Sequence, residues 1–282
     1  MQVETKQRPS PIAGLWYNGQ PAALKRQIDA FIDEAELPEI SGEVVAIMAP
    51  HAGYRYSGRT AGYAFKAVRG LTPDLVVVIS PLHNYNHALY LTSAHRAYET
   101  PLGEIPVDVD AVDRLSQTLE DRGAMGLTPI AFDKEHSLEI ELPFLQRALA
   151  KPFKLLPIMI RHQSPEIARR MGEALSRILA GKNVLMVAST DLSHFYNQKT
   201  AEALDTEMLK QIEAFNPEAV IETELSGRGY ACGVAAVASM LWAARDLGAN
   251  RVQILHHSTS ADETGDTDSV VGYGAAAVLK TG

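Results

Sequence analysis

The chain has one cysteine, Cys232, among 282 residues, so no internal disulfide is available and stability has to come from packing. A lone thiol suits a reducing compartment, and a cytoplasmic location is expected. The opening "MQVETKQRPS" lacks the apolar core of a signal peptide, which agrees with that expectation. No long apolar run is present either. The longest uncharged stretch, Gly229 to Ala244, is bounded by Arg228 and Arg245 and is shorter than the ~20 residues of a membrane helix. It reads as a buried helix, and no membrane association is expected. There is no basic block: 26 Lys and Arg stand against 34 Asp and Glu, and the net charge of -8 argues against a nucleic-acid partner. Low-complexity tracts, proline-rich linkers and fixed-period repeats are also missing, so one domain over residues 1–282 is expected.

What is present is enough apolar material for a sizeable core, since 46% of the residues are hydrophobic. A domain of roughly 300 residues buries about three quarters of the surface its unfolded chain exposes. A metal would therefore be functional rather than structural. Short β-branched runs alternate with segments of helical period: "EVVAIMA" then Arg59 to Val68, "DLVVVIS", "FKLLPIMI" then Pro165 to Leu179, and "NVLMVAS" then Thr200 to Phe215. Leu24, Ile28, Phe31 and Ile32 repeat at helical spacing behind Pro21, which suits a first turn. "RVQILHHS" and "SVVGYGAAAV" read as two late strands. Continuous apolar strands separated by helices predict an α/β layered fold, with a mixed, largely parallel central sheet flanked by helices.

In such sheets the ligand crevice lies beyond the carboxyl ends of the strands. Three predicted strands end there in polar loops. "VVAIMAPHAG" delivers His51, "LVVVISPLHNYNH" delivers His83 with His87 behind it, and "VLMVASTDLSH" delivers Asp191 and His194. Imidazoles, carboxylates and a thiolate are the usual transition-metal ligands, and His51 and His83 are the first choice. Pro50 and Pro81 limit wandering in the turns that carry them. The alternative is that each histidine merely bonds a strand-end carbonyl.

Asp191 and His194 could form an acid-base pair in which the carboxylate orients the imidazole. Equally, Thr190, Asp191 and Ser193 are good N-caps for a helix starting there. Cys232, placed in the first turn of the long apolar helix, would have its pKa lowered by the helix dipole; a buried, inert thiol is the other reading. "DKEHSLEIELPFL" places His136 and Glu139 near a helix start that Ser137 could cap, where both could line the same pocket. His95 and His162 lack partners at telling spacing, and His256 and His257 fall on opposite faces of one strand, so at most one points inward.

The ordered motifs "RPSPIAGLWYNG", "APHAGYRYSG", "SPLHNYNH", "ETPLGEIPVD", "EHSLEIELPFL", "STDLSHF", "GYACGVAAV" and "GDTDSVVGYGAAAV" resemble those of the Memo family nearly end to end. That family is similar in fold to the class III extradiol dioxygenases, and its bacterial members resemble components of the AmmeMemoRadiSam group. The resemblance implies that His51, His83 and Cys232 sit at the metal positions, and that Asp191 and His194 are the catalytic polar residues. It also implies a functional link to a radical SAM enzyme and to an AmmeMemoRadiSam partner protein. The dioxygenases use a glutamate where this chain has a thiol, which tilts preference from iron(II) toward copper(I). No nucleotide cofactor is expected.

Three functions follow. The first is a redox or dioxygenase-like enzyme with mononuclear iron or copper and an unknown substrate. The second is a non-catalytic module that binds a phosphorylated or anionic peptide or metabolite, with Arg55 and the histidines receiving the anion and Tyr56 at the pocket wall. The third is a thiol hydrolase using Cys232, His194 and Asp191.

Overall fold

The computed structural model describes residues 6–282; residues 1–5, part of the stretch read above for a leader, lie outside the described residues. The first half runs α1 (Pro21–Glu34), β1 (Glu43–Ala49), α2 (Tyr54–Ala67), β2 (Leu75–Pro81), β3 (Tyr90–Ser93), β4 (Ala97–Thr100), β5 (Gly103–Pro106), α3 (Val109–Asp121) and β6 (Thr128–Ile130). After a 3-10 turn at Glu139–Glu141 come α4 (Leu142–Ala148), β7 (Lys154–Ile160), α5 (Pro165–Leu179), β8 (Val184–Ser189) and β9 (His194–Tyr196). The chain closes with α6 (Gln198–Glu213), α7 (Pro217–Leu225), α8 (Val234–Asp246), β10 (Arg251–Thr259), the single turn α9 (Ala261–Thr264) and β11 (Val270–Lys280).

The helices start where local chemistry allows. Proline opens α1, α5 and α7, where the missing N–H has no intrahelical partner to lose. The side chains of Asp108, Ser164, Asn197 and Asn216 accept backbone N–H bonds at the starts of α3, α5, α6 and α7. Helix α2 begins at Tyr54, earlier than the apolar period suggested, so Arg55 and Tyr56 belong to its first turn. Helix α6 is followed by Phe215 at φ 53°, a left-handed residue that turns the chain toward α7.

The strand order is β10-β11-β1-β8-β2-β7-β3-β6, with β9 paired to β11. Strands β1, β8, β2 and β7 are mutually parallel, while β11 and β3 join them antiparallel on either side. Every residue of β2 is buried, as its unbroken apolar run requires of a strand covered on both faces. Ile47, Val76, Val78, Leu155 and Val187 pack with Leu24, Ile28, Phe65 and Phe144 on one side. Met48, Val77, Ile79, Leu156 and Met186 pack with Met171, Leu175 and α8 on the other. Each such side chain contributes roughly 1.5–3 kcal/mol when fully buried.

Helix α8 is buried from Val234 through Ala244, as expected for a helix apolar all round. Among the described residues no helix is long and apolar enough to cross a membrane. The expected pair of faces in β10 is also seen. His256 bonds Thr60 and stacks on Tyr63 of α2, while His257 bonds Asp205 of α6.

The parallel centre brings the ends of β1, β2 and β8 to one rim. Two glycines let other segments close on that rim. A Cβ at Gly233 would lie 2.3 Å from the Ser189 carbonyl oxygen, so only glycine lets the chain before α8 approach the end of β8. At Gly272 a Cβ would overlap the carboxylate of Asp205, which accepts the Ser193 N–H and contacts His257. Gly233→Ala is expected to destabilise the fold by about 1–3 kcal/mol, the usual range for overpacking, in urea unfolding monitored by circular dichroism.

Candidate metal centre

His51 follows β1 and is 1% exposed. Its backbone N–H donates to Asp191 Oδ1 at 2.7 Å, and the Ala52 N–H reaches the same oxygen at 3.3 Å. Its Nδ1 lies 2.9 Å from Ser189 Oγ at the end of β8. The Ser189 hydroxyl directs its one proton toward Ser137 O and Glu141 Oε1, at 2.6 and 2.7 Å. Its oxygen is then the acceptor for Nδ1–H of His51, which leaves Nε2 unprotonated.

His83, following β2, is held the same way by a different partner. Glu135 accepts the His83 backbone N–H at 2.6 Å through one oxygen and its Nδ1–H at 2.8 Å through the other. The same carboxylate accepts the N–H groups of His136 and Ser137. These bonds and the adjacent imidazole hold Glu135 well below the usual carboxylate range despite its burial.

His136 completes a trio. Its ring stacks on His83 with centroids 4.7 Å apart and meets Trp16 at 4.1 Å with the planes tilted by 32°. One ring nitrogen from each of His51, His83 and His136 lies within 4.8 Å of the other two, a geometry that could hold a metal ion. Burial lowers the pKa of His51 well below 6.5 and that of His136 to about 4, so both are neutral ligands near pH 7. His83 differs. Burial lowers its proton affinity, but Glu135 outweighs burial and raises its pKa above 6.5.

Cys232 meets this trio at His51, with Sγ 3.1 Å from Nε2. The sulfur also accepts the Asp191 N–H at 3.2 Å, and the Cys232 N–H donates to Asp191 O at 3.2 Å. The cysteine stands before Gly233, the N-cap of α8, rather than in its first turn. The expected lowering of its pKa is reversed: burial, then the Asp191 carboxylate, push the thiol far up. Burial likewise pushes Asp191 up to about 7.

Among the described residues the hydrolase triad is not assembled. His194 donates Nδ1–H to Leu192 O at 2.8 Å, and Asp191 bonds the amides of His51 and Ala52 instead of the His194 ring. Nor does a helix start at Thr190 to Ser193. That segment leads into β9, whose His194 pairs with Val271 of β11, and Asn197 caps the helix that follows. His194 keeps Nε2 available, and burial lowers its pKa.

Glu139, expected at the pocket wall, is fully buried and faces the N-terminal segment. It accepts from Arg8, Ser10 and Tyr17. Arg8 is 2% exposed and also binds Asp133 and the Glu135 carbonyl, so it fastens the loop that carries His136. Ser137 caps no helix; its hydroxyl donates to Pro81 O. His95 is buried beside Ser93, which its ring contacts at 3.1 Å, and lies apart from the trio.

Beside the centre lies a cavity of about 530 Å³ whose walls include Trp16, Ala52, Tyr56, Phe195, Val271 and Tyr273. Tyr56 stands in that wall. Arg55 lies exposed on α2 with its guanidinium 5.7 Å from the Tyr56 ring centre, and it is not part of the wall. Sequence reasoning missed Glu135, Glu141, Ser189, Trp16 and Tyr273. Glu135 and Trp16 stood within motifs already singled out, next to His136 and in "GLWYNG".

Fold and site together define an α/β protein with a histidine cluster at the carboxyl ends of its parallel strands. The profile of a family described as "Memo-like protein" matches residues 8–277, and the chain belongs to the Memo family. A MEMO1 family protein of Nitrosopumilus maritimus is 34% identical over 272 residues, covering 95% of this chain and 98% of that one. One from Thermotoga neapolitana is 35% identical over 277 residues, covering 94% and 97%. The crystal structure of an uncharacterized protein, JW3007 from Escherichia coli K12, aligns at a TM-score of 0.48 with 12% identity, over 83% of this chain and 99% of that one.

The division of roles predicts the titration of the metal-free protein. In histidine-detected NMR, His83 takes up its proton above pH 6.5 as the pH falls, while His136 stays neutral until about pH 4. In Glu135→Gln the main raising partner is lost and burial, aided by Arg161, is opposed only by Asp191, so the His83 pKa is expected to drop below its wild-type value.

Proposed function

We propose that this chain is a metal-dependent redox enzyme with a mononuclear centre on His51 and His83, completed by His136 and approached by Cys232. The observation that carries this reading is the matched preparation of His51 and His83. Each is a strand-end imidazole with Nδ1 committed to a buried partner, Ser189 or Glu135, and with Nε2 left as a donor atom. The donor set fits iron(II) or copper(I): neutral imidazoles suit both, and a neighbouring sulfur favours copper(I). When bound there, either metal would supply one-electron redox chemistry and Lewis acidity at an open position.

The chain's own residues do the rest. His194, with Nδ1–H fixed on Leu192 O, would move a proton at Nε2. Asp191 holds the turn that carries His51 by accepting two backbone N–H groups. The Cys232 thiol, whose proton affinity is high when metal-free, would release that proton on entering the coordination. The link to a radical SAM enzyme and an AmmeMemoRadiSam partner protein, in a cytoplasmic setting, belongs to the same proposal. The anion-binding reading has less support, because Arg55 stands outside the cavity wall.

Protein purified anaerobically is expected to carry close to one iron or copper per chain by elemental analysis. His51→Ala and His83→Ala should each lose it, and Glu135→Gln should weaken metal affinity by about 10–100-fold. Comparing His136→Ala with Cys232→Ser identifies the third ligand. Folded wild-type protein that stays metal-free and takes up neither ion on titration would refute the proposal.

A further inference from the structure

The cavity beside the histidine trio contains a polar group for which the fold has no use. Tyr273 is 2% exposed and lines that cavity, yet its hydroxyl makes no hydrogen bond to any described residue. Tyrosine hydroxyls on largely buried rings usually find a partner, and this one opens onto the cavity, where the partner would be whatever occupies it. Strand geometry fixes the direction of the ring. Val271 and Tyr273, two apart on β11, both line the cavity, whereas Gly272 between them faces Asp205 on the other side of the strand. The backbone is fixed as well: Gly272 exchanges bonds with Leu192 and Ser193, the two residues after Asp191.

The other walls describe what the hydroxyl is for. Trp16, Tyr56 and Phe195 supply aromatic surface, and Phe195 is held at φ 64°, a conformation rare for so bulky a residue. Phe195 is 74% exposed, so the backbone keeps an apolar ring at the mouth rather than in the core. Among the described residues no Lys, Arg or His lines this cavity, and its one charged lining residue is Asp266. A volume of about 530 Å³ suits a small organic molecule. The walls favour a flat apolar body and disfavour an anion, which would meet Asp266 without a cation to offset it.

We infer that Tyr273 is the specificity-determining donor of this cavity, giving its O–H to the acceptor of an uncharged, flat organic substrate held among Trp16, Tyr56 and Phe195 beside the trio. This inference rests on the proposed function for the word substrate, but binding itself does not need the metal. Burial, reinforced by the Asp191 carboxylate, keeps the phenol protonated and therefore a donor.

The test uses chelator-treated, metal-free full-length protein and three probes that share one bicyclic ring: acetylnaphthalene with a neutral acceptor, ethylnaphthalene with none, and naphthoate with an anionic one. Binding is followed by tryptophan quenching and calorimetry. Wild type should bind acetylnaphthalene more tightly than naphthoate. Tyr273→Phe should weaken acetylnaphthalene by about tenfold, the effect of one lost hydrogen bond, and leave ethylnaphthalene unchanged. Phe195→Asn, whose new side chain tolerates the left-handed backbone, should weaken all three probes.

Because the hydroxyl has no structural partner, Tyr273→Phe should also keep the wild-type melting temperature; a fall of several degrees would assign the hydroxyl a structural role and overturn the inference. Equal affinity of acetylnaphthalene for wild type and Tyr273→Phe, preference for naphthoate, or no binding of any probe would overturn it too. Metal content, measured separately, tells failure of this inference from failure of the metal reading.

Discussion

The contact on which the site depends is a carboxylate gripping the backbone of an imidazole-bearing turn. Asp191 does this for His51 and Ala52, and Glu135 does it for His83, His136 and Ser137. Side-chain rotamers alone would leave the rings free to swing. Bonding the N–H of the same residue fixes the turn first and the ring second, so ring nitrogens from three separate segments stay within 4.8 Å of one another. Charge-assisted bonds to buried carboxylates are strong enough for this task, and each replaces a solvating water that the buried loop cannot have.

The same arrangement divides the carboxylates by environment. Glu135 collects several N–H donors and an imidazole and stays ionised, whereas Asp191, with only two backbone donors to oppose its burial, is pushed up to about 7. The two loops therefore present different charge to the centre: a fixed anion behind His83, and near neutral pH a partly protonated group beside His51 and Cys232. Arg8 adds a third tie, a buried cation whose partners Asp133 and Glu139 flank Glu135 and His136 in sequence. A buried ion of this kind is costly to strand, so the N-terminal segment and the histidine loop hold one another in place.

The α/β layering and the strand ends were legible because continuous apolar runs leave few alternatives: a strand such as β2 must be covered on both faces. The four central parallel strands fell within a residue of where the β-branched runs put them. Shorter elements were not legible. Strands β3 to β6 and β9 have three or four residues each, too few for alternation to register.

Misreadings at the site have physical causes as well. Thr190 to Ser193 carries good helix caps, but β11 took up the backbone of that segment. His136 and Glu139 were expected to line one pocket; the 3-10 turn at Glu139–Glu141 instead sends Glu139 to Arg8, away from His136, and Glu141 to Ser189. Cys232 stopped short of the helix turn that would have acidified it, because Gly233 is the cap. Family resemblance pointed to His51, His83 and Cys232; the clustered ring nitrogens are those of His51, His83 and His136, with Cys232 touching His51, and the brace Glu135 was invisible until the loops were in place.

The rim draws on residues from Arg8 and Trp16 in the N-terminal segment to Val271 and Tyr273 in the last strand. Strand β1, which carries His51 at its tip, is bordered on one side by β11, from the far end of the described residues. Sites assembled from such distant parts of a chain are closed late, after long loops have been drawn together. The histidine cluster is therefore a property of the whole closed sheet: no contiguous fragment of the chain could present it, and loss of the β1–β11 pairing would scatter its rings.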